Sequence, residues 1–150
     1  MRHILSGDIG GTKTFLQLTS QDSKLAPQQK TYSSRQYSGL EEMLDDFLHD
    51  AGVQDIAAAC FALAGPVHGR QVKLTNLPWG VDADAIAARF KIGKITLVND
   101  FEAAGHGIAM LRPEDLLALQ PGREAPHATR LVVGAGTGLG VAWITWHDGE

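Results

Sequence analysis

The hydrophobic and polar positions of the chain change their period several times, and each period predicts a different element. "HILSGDIG" and "TFLQLTS", over residues 3–10 and 14–20, are short, rich in β-forming residues and separated by glycines, which predicts a β-hairpin. "TYSSRQY" predicts a third strand, and "DIAAACFALAG" and "KITLVND" predict buried strands. Between these last two, "PVHGRQVKLTN" predicts a turn followed by a further strand.

Apolar residues spaced i, i+3, i+4, i+7, i+8 and i+11 mark one face of a first helix. They are Leu40, Met43, Leu44, Phe47, Leu48 and Ala51. Ser38 and Glu41 match a capping box at its start, and Gly52 suits its end. Asp82 is placed to cap a second helix through "ADAIAARF".

The last third of the chain predicts a third helix over "FEAAGHGIAML", although its two glycines lower the helix propensity. Residues 113–119 predict a short helix, and "RLVVGAGTGLGVAWITW" predicts a strand, a glycine-rich turn and a strand. Strands that alternate with helices indicate an α/β fold. Pro113 and the loop before Arg130 favour a boundary here, so we predict one lobe over residues 1–110 and the start of a second over residues 111–150.

Composition narrows the class of protein. The 150 residues are 44% apolar and 20% charged with a net charge of −4, which suits a packed core and argues against nucleic acid as a partner. No apolar run approaches the length of a membrane span, so we expect no membrane partner. The single Cys60 excludes an internal disulfide and fits a reducing cytoplasm.

"GDIGGTKT", residues 7–14, has the composition of a phosphate-binding loop but fails the P-loop pattern, because Thr12 stands where the second glycine belongs. Gly10 and Gly11 permit positive φ and let backbone N–H groups converge on an anion. Asp8 would repel a bare phosphate, and Mg²⁺ bridging the two would explain it. The alternative is a plain glycine turn with a surface carboxylate and an exposed Lys13.

A second glycine-rich stretch, "LVVGAGTGLGVAW", fails the dinucleotide fingerprint because Leu139 occupies the place of the last glycine. The residues after it are strand-like and not helical, so a hairpin with Thr137 at its tip is predicted. Alone it is equally typical of a structural turn. Paired with the first loop, it indicates two hairpins that grip a polyphosphate.

Asn99 and Asp100 end a predicted strand and precede a helix, at the edge where α/β ligand sites form. Asp100 is either a helix N-cap or a general base for a hydroxyl that attacks phosphorus. Asn76 and Trp79 belong to "LTNLPWGVDA", a loop that either lines a small polar ligand or is anchored by Trp79 in the core; we favour the second. The histidines show no metal-binding spacing.

Five motifs in this order carry a resemblance that spans essentially the whole chain: "GDIGGTKT", "AGPVHG", "LTNLPW", "LVNDFEAAGHGI" and "GAGTGLGVA". Together they resemble the bacterial glucokinases of the actin/hexokinase/Hsp70 ATPase superfamily. The resemblance implies a ribonuclease H-like small lobe and the start of a second lobe. It implies ATP-dependent phosphorylation of glucose at the 6-hydroxyl to glucose 6-phosphate, the first step of glycolysis, with Mg²⁺ as cofactor and a homodimer in the longer protein.

Residue by residue, the resemblance assigns two phosphate loops and a sugar site. The first loop contacts ATP through Gly7, Asp8, Ile9, Gly10, Gly11 and Thr12, with Asp8 assisting Mg²⁺ through water. The second, from Gly134 to Gly140, places Gly136, Thr137 and Gly138 at the nucleotide phosphates. Asn99 holds sugar hydroxyls, and Asp100 is both a sugar ligand and the catalytic base.

The chain departs from the family pattern in one respect. The family's "GEGGH" cluster and a later Glu, which complete the sugar site, are absent here, and family members are more than twice this length. The resemblance therefore implies the front portion of a longer enzyme, with little kinase activity in the isolated 150 residues. The alternatives are another sugar kinase or a sugar-responsive regulator of the same fold, or a non-catalytic ATP-binding fragment or scaffold.

Overall fold

The computed structural model describes residues 2–20, 22, 25–123, 125–135 and 139–147. The chain divides into two compact units, residues 1–100 and residues 101–150. The strands of the first unit are β1 His3–Ile9, β2 Lys13–Ser20, β3 Gln28–Ser33, β4 Ile56–Leu63, β5 Gln71–Lys73, β6 Gly80–Asp82 and β7 Ile95–Asn99. Its helices are α1 Leu40–Ala51 and α2 Ala83–Phe90, and a third helix, α3 Asp100–Ile108, begins at the boundary.

A five-stranded mixed sheet in the order β3-β2-β1-β4-β7 forms the first unit. β1, β2 and β3 pair antiparallel, whereas β1, β4 and β7 run parallel. In this register Ile9 lies beside Leu63, and Leu63 lies beside Asn99. Three strands therefore end together at one edge of the sheet, where α/β folds bind ligands.

One core joins the sheet to both helices. The predicted apolar face of α1 is buried from Leu40 to Leu48, and it shares a cluster with Leu5, Leu16 and Phe61 of the sheet. Burying a side chain of this size stabilises the fold by about 1.5–3 kcal/mol. Gly7 lies within this packing, because a Cβ there would come within 2.9 Å of both Leu16 and Phe61.

Two of the three predicted caps are confirmed. Gly52 ends α1 in the left-handed conformation, with φ of 65°. The Asp82 carboxylate accepts hydrogen bonds from the N–H groups of Asp84 and Ala85 at 2.9 and 3.0 Å. The capping box of Ser38 with Glu41 is wrong.

The helix α1 begins one residue later than that box requires. Gly39 is its N-cap, which makes Glu42 and not Glu41 the third helical residue. Both the N–H and the hydroxyl of Ser38 donate to Glu42 Oε2 at 2.9 Å. These hydrogen bonds lower the pKa of Glu42.

Other differences from the sequence predictions concern short elements. Residues 80–82, predicted as loop, form β6 and pair antiparallel with β5. The third strand begins three residues earlier and ends four residues earlier than predicted, and a 3-10 turn at Ser34–Gln36 follows it. The predicted helix over residues 113–119 is reduced to a 3-10 turn at Pro113–Asp115, since Leu116 is already extended.

The second unit contains the antiparallel hairpin of β8 Arg130–Ala135 and β9 Leu139–Ile144. Gly134 and Gly140 lie opposite each other in register, and the Phe101 ring of α3 packs against both. A Cβ on Gly134 would come within 2.8 Å of that ring, and one on Gly140 would overlap it. Within the described residues, no helix combines the length and apolar character needed to cross a bilayer.

Candidate active site

The first glycine motif forms the turn of the β1–β2 hairpin, as the sequence predicts. Residues 10–12 connect the strands, and the Gly10 N–H donates to the Lys13 carbonyl at 2.9 Å. A strand, not a helix, follows the turn. This geometry separates the loop from a P-loop, whose phosphate site is completed by a helix N-terminus.

The glycines of this turn do not use the positive φ that glycine permits. Neither Gly10 nor Gly11 adopts it in the structure. A Cβ on Gly10 would come within 2.9 Å of the Lys13 carbonyl oxygen, and one on Gly11 within 2.7 Å of the Asn76 Cβ. Glycine is required here because other groups approach the backbone closely.

Two fully buried hydroxyl groups support the turn, those of Thr14 and Ser34, each 0% exposed. Ser34 Oγ donates to the Gly10 carbonyl at 2.7 Å, and the Ser34 N–H donates to the Thr12 carbonyl at 3.0 Å. Thr14 Oγ1 lies 3.0 Å from Ser34 Oγ. Sequence reasoning missed Ser34, because it stands 24 residues from Gly10 and only the pairing of β3 with β2 brings it there.

Asp8 lies near the carboxyl end of β1 and keeps part of its side chain exposed. Partial burial raises its pKa, and the negative charge of Asp100 raises the pKa further. The structure thus brings together two carboxylates that are 92 positions apart in the chain. Asp100 is the first residue of α3.

Asn99 ends β7 at the same edge, and its Nδ2 donates to the Gly65 carbonyl at 2.8 Å. The neighbouring Ala64 N–H donates to the Ile9 carbonyl at 3.2 Å. These bonds tie together the ends of β1, β4 and β7. The conformation of the "AGP" turn, in which Gly65 has φ of 156°, was not predicted from the sequence.

Trp79 is only 9% exposed and belongs to the core cluster, which confirms the interpretation that it anchors its loop. Asn76, from the same loop, packs against Gly11. At the second glycine motif the predicted hairpin is confirmed by the pairing of Ala135 with Leu139. Gly136, Thr137 and Gly138 lie outside the described residues.

The carboxylates at this edge of the sheet are oxygen ligands of the kind that Mg²⁺ binds. No group of three or more His, Cys, Asp or Glu side chains suited to a metal occurs in the part of the chain that the structure describes. Mg²⁺ does not need such a cage, because it is commonly held by one or two carboxylates together with phosphate oxygens and water. Asp8 is a partly exposed carboxylate whose pKa is raised by partial burial and by the negative charge of Asp100, and a carboxylate in such surroundings is a ligand type that fits Mg²⁺.

The mixed α/β sheet, with a hairpin turn and polar residues at the carboxyl edge of its parallel strands, has the arrangement of the actin/hexokinase ATPase fold. Its fold matches the glucokinase from an Antarctic psychrotroph with a TM-score of 0.80 at 28% identity, over 95% of this chain and 46% of that one. It also matches a ROK family glucokinase from Streptomyces griseus, solved with glucose and AMPPNP, with a TM-score of 0.62 at 20% identity, over 95% and 44%. At 20% identity, the match to the Streptomyces griseus protein is a likeness of fold alone.

A family model described as Glucokinase matches residues 5–150. The glucokinase of Nostoc sp. (strain PCC 7120) is 43% identical over 148 residues, and that of Synechocystis sp. (strain PCC 6803) is 38% identical over 154 residues. The chain belongs to the glucokinase family. It spans 43% of the length of each of these two relatives, while they match 96% and 95% of it.

Proposed function

We propose that the protein carrying this chain phosphorylates glucose with ATP at the 6-hydroxyl and releases glucose 6-phosphate and ADP, the entry reaction of glycolysis. The observation that carries the proposal is the convergence of Asp8, Asn99 and Asp100 at one sheet edge beside a braced glycine turn. Family membership supports it, since the relatives are named glucokinases. The Streptomyces griseus protein, which shares the fold, was solved with glucose and AMPPNP, the same ligand classes.

Asp100 is the proposed general base. Its carboxylate accepts the proton of the sugar 6-hydroxyl while that oxygen forms a bond to the γ-phosphorus of ATP and the bond from phosphorus to the β,γ-bridging oxygen breaks. ADP is the leaving group, and the proton later passes to solvent. The position of Asp100 at the start of α3 supports this role, because the adjoining β7 fixes Asn99 beside it.

Asn99 is the proposed ligand of the sugar hydroxyls, together with Asp100. The hydrogen bond from its Nδ2 to Gly65 fixes the plane of the amide. A side chain that is already oriented loses little further conformational entropy when a sugar binds. The same bond therefore serves both the fold and the sugar site.

The turn of residues 7–12 is the proposed first phosphate loop. Gly7 and Ile9 are buried and face the core, so their contribution would come from the backbone, whereas Gly10, Gly11 and Thr12 form the turn itself. Gly136, Thr137 and Gly138 would supply the second loop. Asp8 would hold Mg²⁺ through water, and the bound ion would offset the charge of the transferring phosphoryl group.

The broader proposals follow from the family. We expect a small lobe over residues 1–110 and a larger lobe beginning at residue 111, a homodimer, and a cytoplasmic location without nucleic acid or membrane as partner. Phosphoryl transfer depends on positioning by both lobes. The 150 residues alone should therefore show little turnover.

The test is a coupled assay of glucose-dependent ADP formation by the protein at the length that its gene encodes. Asp100→Asn should lower kcat by about 10²–10⁴-fold, the usual contribution of general base catalysis. Glu102→Gln, an exposed carboxylate two residues along the same helix, is the matched control and should keep near wild-type activity. A wild-type protein that binds ATP but phosphorylates a different sugar, or none, would overturn the proposal.

A further inference from the structure

The buried hydroxyls under the first glycine turn form a directed chain of hydrogen bonds. Ser34 has one hydroxyl proton, and its Oγ donates that proton to the Gly10 carbonyl at 2.7 Å. The contact between Thr14 Oγ1 and Ser34 Oγ, at 3.0 Å, is therefore a donation from Thr14 to Ser34. Within the described residues, these two are the fully buried polar side chains, and both serve the turn.

This chain sets the direction of one peptide group. The Gly10–Gly11 peptide is trans, so its carbonyl and its N–H point to opposite sides. Because Ser34 holds the Gly10 carbonyl toward the interior, the Gly11 N–H points away from Ser34. The Ser34 N–H also holds the Thr12 carbonyl at 3.0 Å, so the turn is fixed at both ends.

A second element limits the movement of the same peptide. The Asn76 Cβ lies so close to Gly11 that even a methyl group there would come within 2.7 Å of it. The Gly10–Gly11 peptide is thus held by Ser34 through hydrogen bonds and confined by Asn76 through packing. A donor held in place before the ligand arrives needs no reorganisation on binding, which is the advantage of a preorganised anion site.

We propose that Ser34 is a positioning residue of the first phosphate loop, which aims the Gly11 N–H at the phosphate tail of ATP. This inference rests on the proposed function for the identity of the ligand. Ser34 itself touches no phosphate in the proposal; it acts through the Gly10 carbonyl. Removal of the Ser34 hydroxyl should therefore weaken the binding of ATP and leave the binding of glucose unchanged.

The experiment compares Ser34→Ala with Ser33→Ala, an exposed serine one residue earlier, in the full-length protein. Dissociation constants for ATP and for glucose are measured separately by calorimetry, together with KM for each substrate. Ser34→Ala should weaken ATP binding by about five- to tenfold, as expected for a lost hydrogen bond to a buried carbonyl, with the glucose constants unchanged. Ser33→Ala should change neither constant.

Thr14→Val serves as a second variant because it keeps the shape of the side chain and retains the bond between Ser34 and Gly10. Thr14→Val should also weaken ATP binding, but by less than Ser34→Ala does. If Ser34→Ala fails to fold, the ATP affinity of Thr14→Val tests the inference in its place. ATP affinity within about twofold of wild type in a folded Ser34→Ala protein would overturn the inference, because a lost hydrogen bond should cost more than that. So would an equal loss of ATP and glucose affinity, which indicates a general structural defect.

The two proposals fail in distinguishable ways. A wild-type protein that binds ATP without phosphorylating glucose overturns the proposed function, and the ATP affinities of the Ser34 and Thr14 variants still decide this inference. A protein that phosphorylates glucose, with ATP affinity indifferent to Ser34, overturns only the inference.

Discussion

Asn99 donates from Nδ2 to the carbonyl oxygen of Gly65 at 2.8 Å, and the last residue of β7 thereby holds the turn that follows β4. The contact joins two residues 34 positions apart and lies beside the bond from Ala64 to Ile9. The polar edge of the sheet is therefore cross-linked by hydrogen bonds before any ligand binds.

Asn99→Ala should raise the dissociation constant for glucose by about tenfold, because it removes a proposed sugar ligand and the group that orients the Gly65 turn. Thr96→Ala, an exposed position on the same strand, is the control and should have no such effect. Titration of each variant with glucose, in the absence of ATP, measures the difference. An Asn99→Ala protein with wild-type glucose affinity would remove Asn99 from the site.

Asp8→Asn should stabilise the protein at neutral pH while it lowers kinase activity. Burial and the charge of Asp100 raise the pKa of Asp8 above its ordinary value of 3.8, so the folded state binds this proton more tightly than the unfolded state. The ionised carboxylate therefore destabilises the fold above its folded-state pKa, and this penalty disappears as the pH falls below 3.8. Melting temperatures of both proteins from about pH 3 to pH 8 measure the gain, which should shrink toward low pH.

Two variants control this experiment. Asp55→Asn removes an exposed carboxylate far along the chain and should leave the melting temperature nearly unchanged. Asp100→Asn removes the charge that acts on Asp8 and should move the pKa of Asp8 downward in a carboxyl NMR titration. A stability gain for Asp8→Asn that persists undiminished at about pH 3 would contradict the electrostatic explanation.

Gly140→Ala should destabilise the second unit by about 1–3 kcal/mol, the usual cost of overpacking. The added methyl group would overlap the Phe101 ring, so the double variant with Phe101→Leu should recover part of the loss. Gly107→Ala is the opposite control: its Cβ meets nothing within 4 Å inside α3, and alanine there should stabilise by about 0.5–1 kcal/mol. Urea denaturation measures the free energy of unfolding, which should fall for Gly140→Ala and rise for Gly107→Ala. Additive effects of Gly140→Ala and Phe101→Leu would argue against a contact between residue 140 and the Phe101 ring.

Asp82→Ala should lower the melting temperature, and more so at about pH 7 than at about pH 3. The N–H of Ala85, aided by that of Asp84, lowers the pKa of Asp82 below 3.8. The stabilisation is therefore complete above 3.8 and is lost as the pH falls through the folded-state pKa. Asp82→Asn retains an oxygen acceptor for the cap and should lose less at neutral pH.

Elements with a strong local pattern could be predicted from the sequence, and contacts between distant segments could not. The face of α1 and the Asp82 cap depend on residues within a few positions of each other, and both were confirmed. The capping box failed by one residue, because Ser38 pairs with Glu42 once Gly39 is the cap. β6 was missed because a three-residue strand has too short a pattern to be distinguished from a loop.

The same limit applies to the candidate site. Asp8, Asn99 and Asp100 could be named because they stand in compact motifs at strand ends. Ser34 belongs to no motif, and its role depends on the register between β3 and β2. Glycine is needed at position 11 because Asn76 approaches the backbone there, and no local conformational rule predicts that approach.

The distance in sequence between Ser34 and Gly10 has a consequence for the order of folding. The β1–β2 hairpin can close through local contacts on a microsecond timescale, but its turn cannot take its final conformation until β3 has joined the sheet. Protection of the Ser34 amide, which donates to Thr12, should then appear in hydrogen exchange later than that of the Gly10 amide, which closes the hairpin. The phosphate loop is in this sense completed last, by a residue that follows a strand outside the loop.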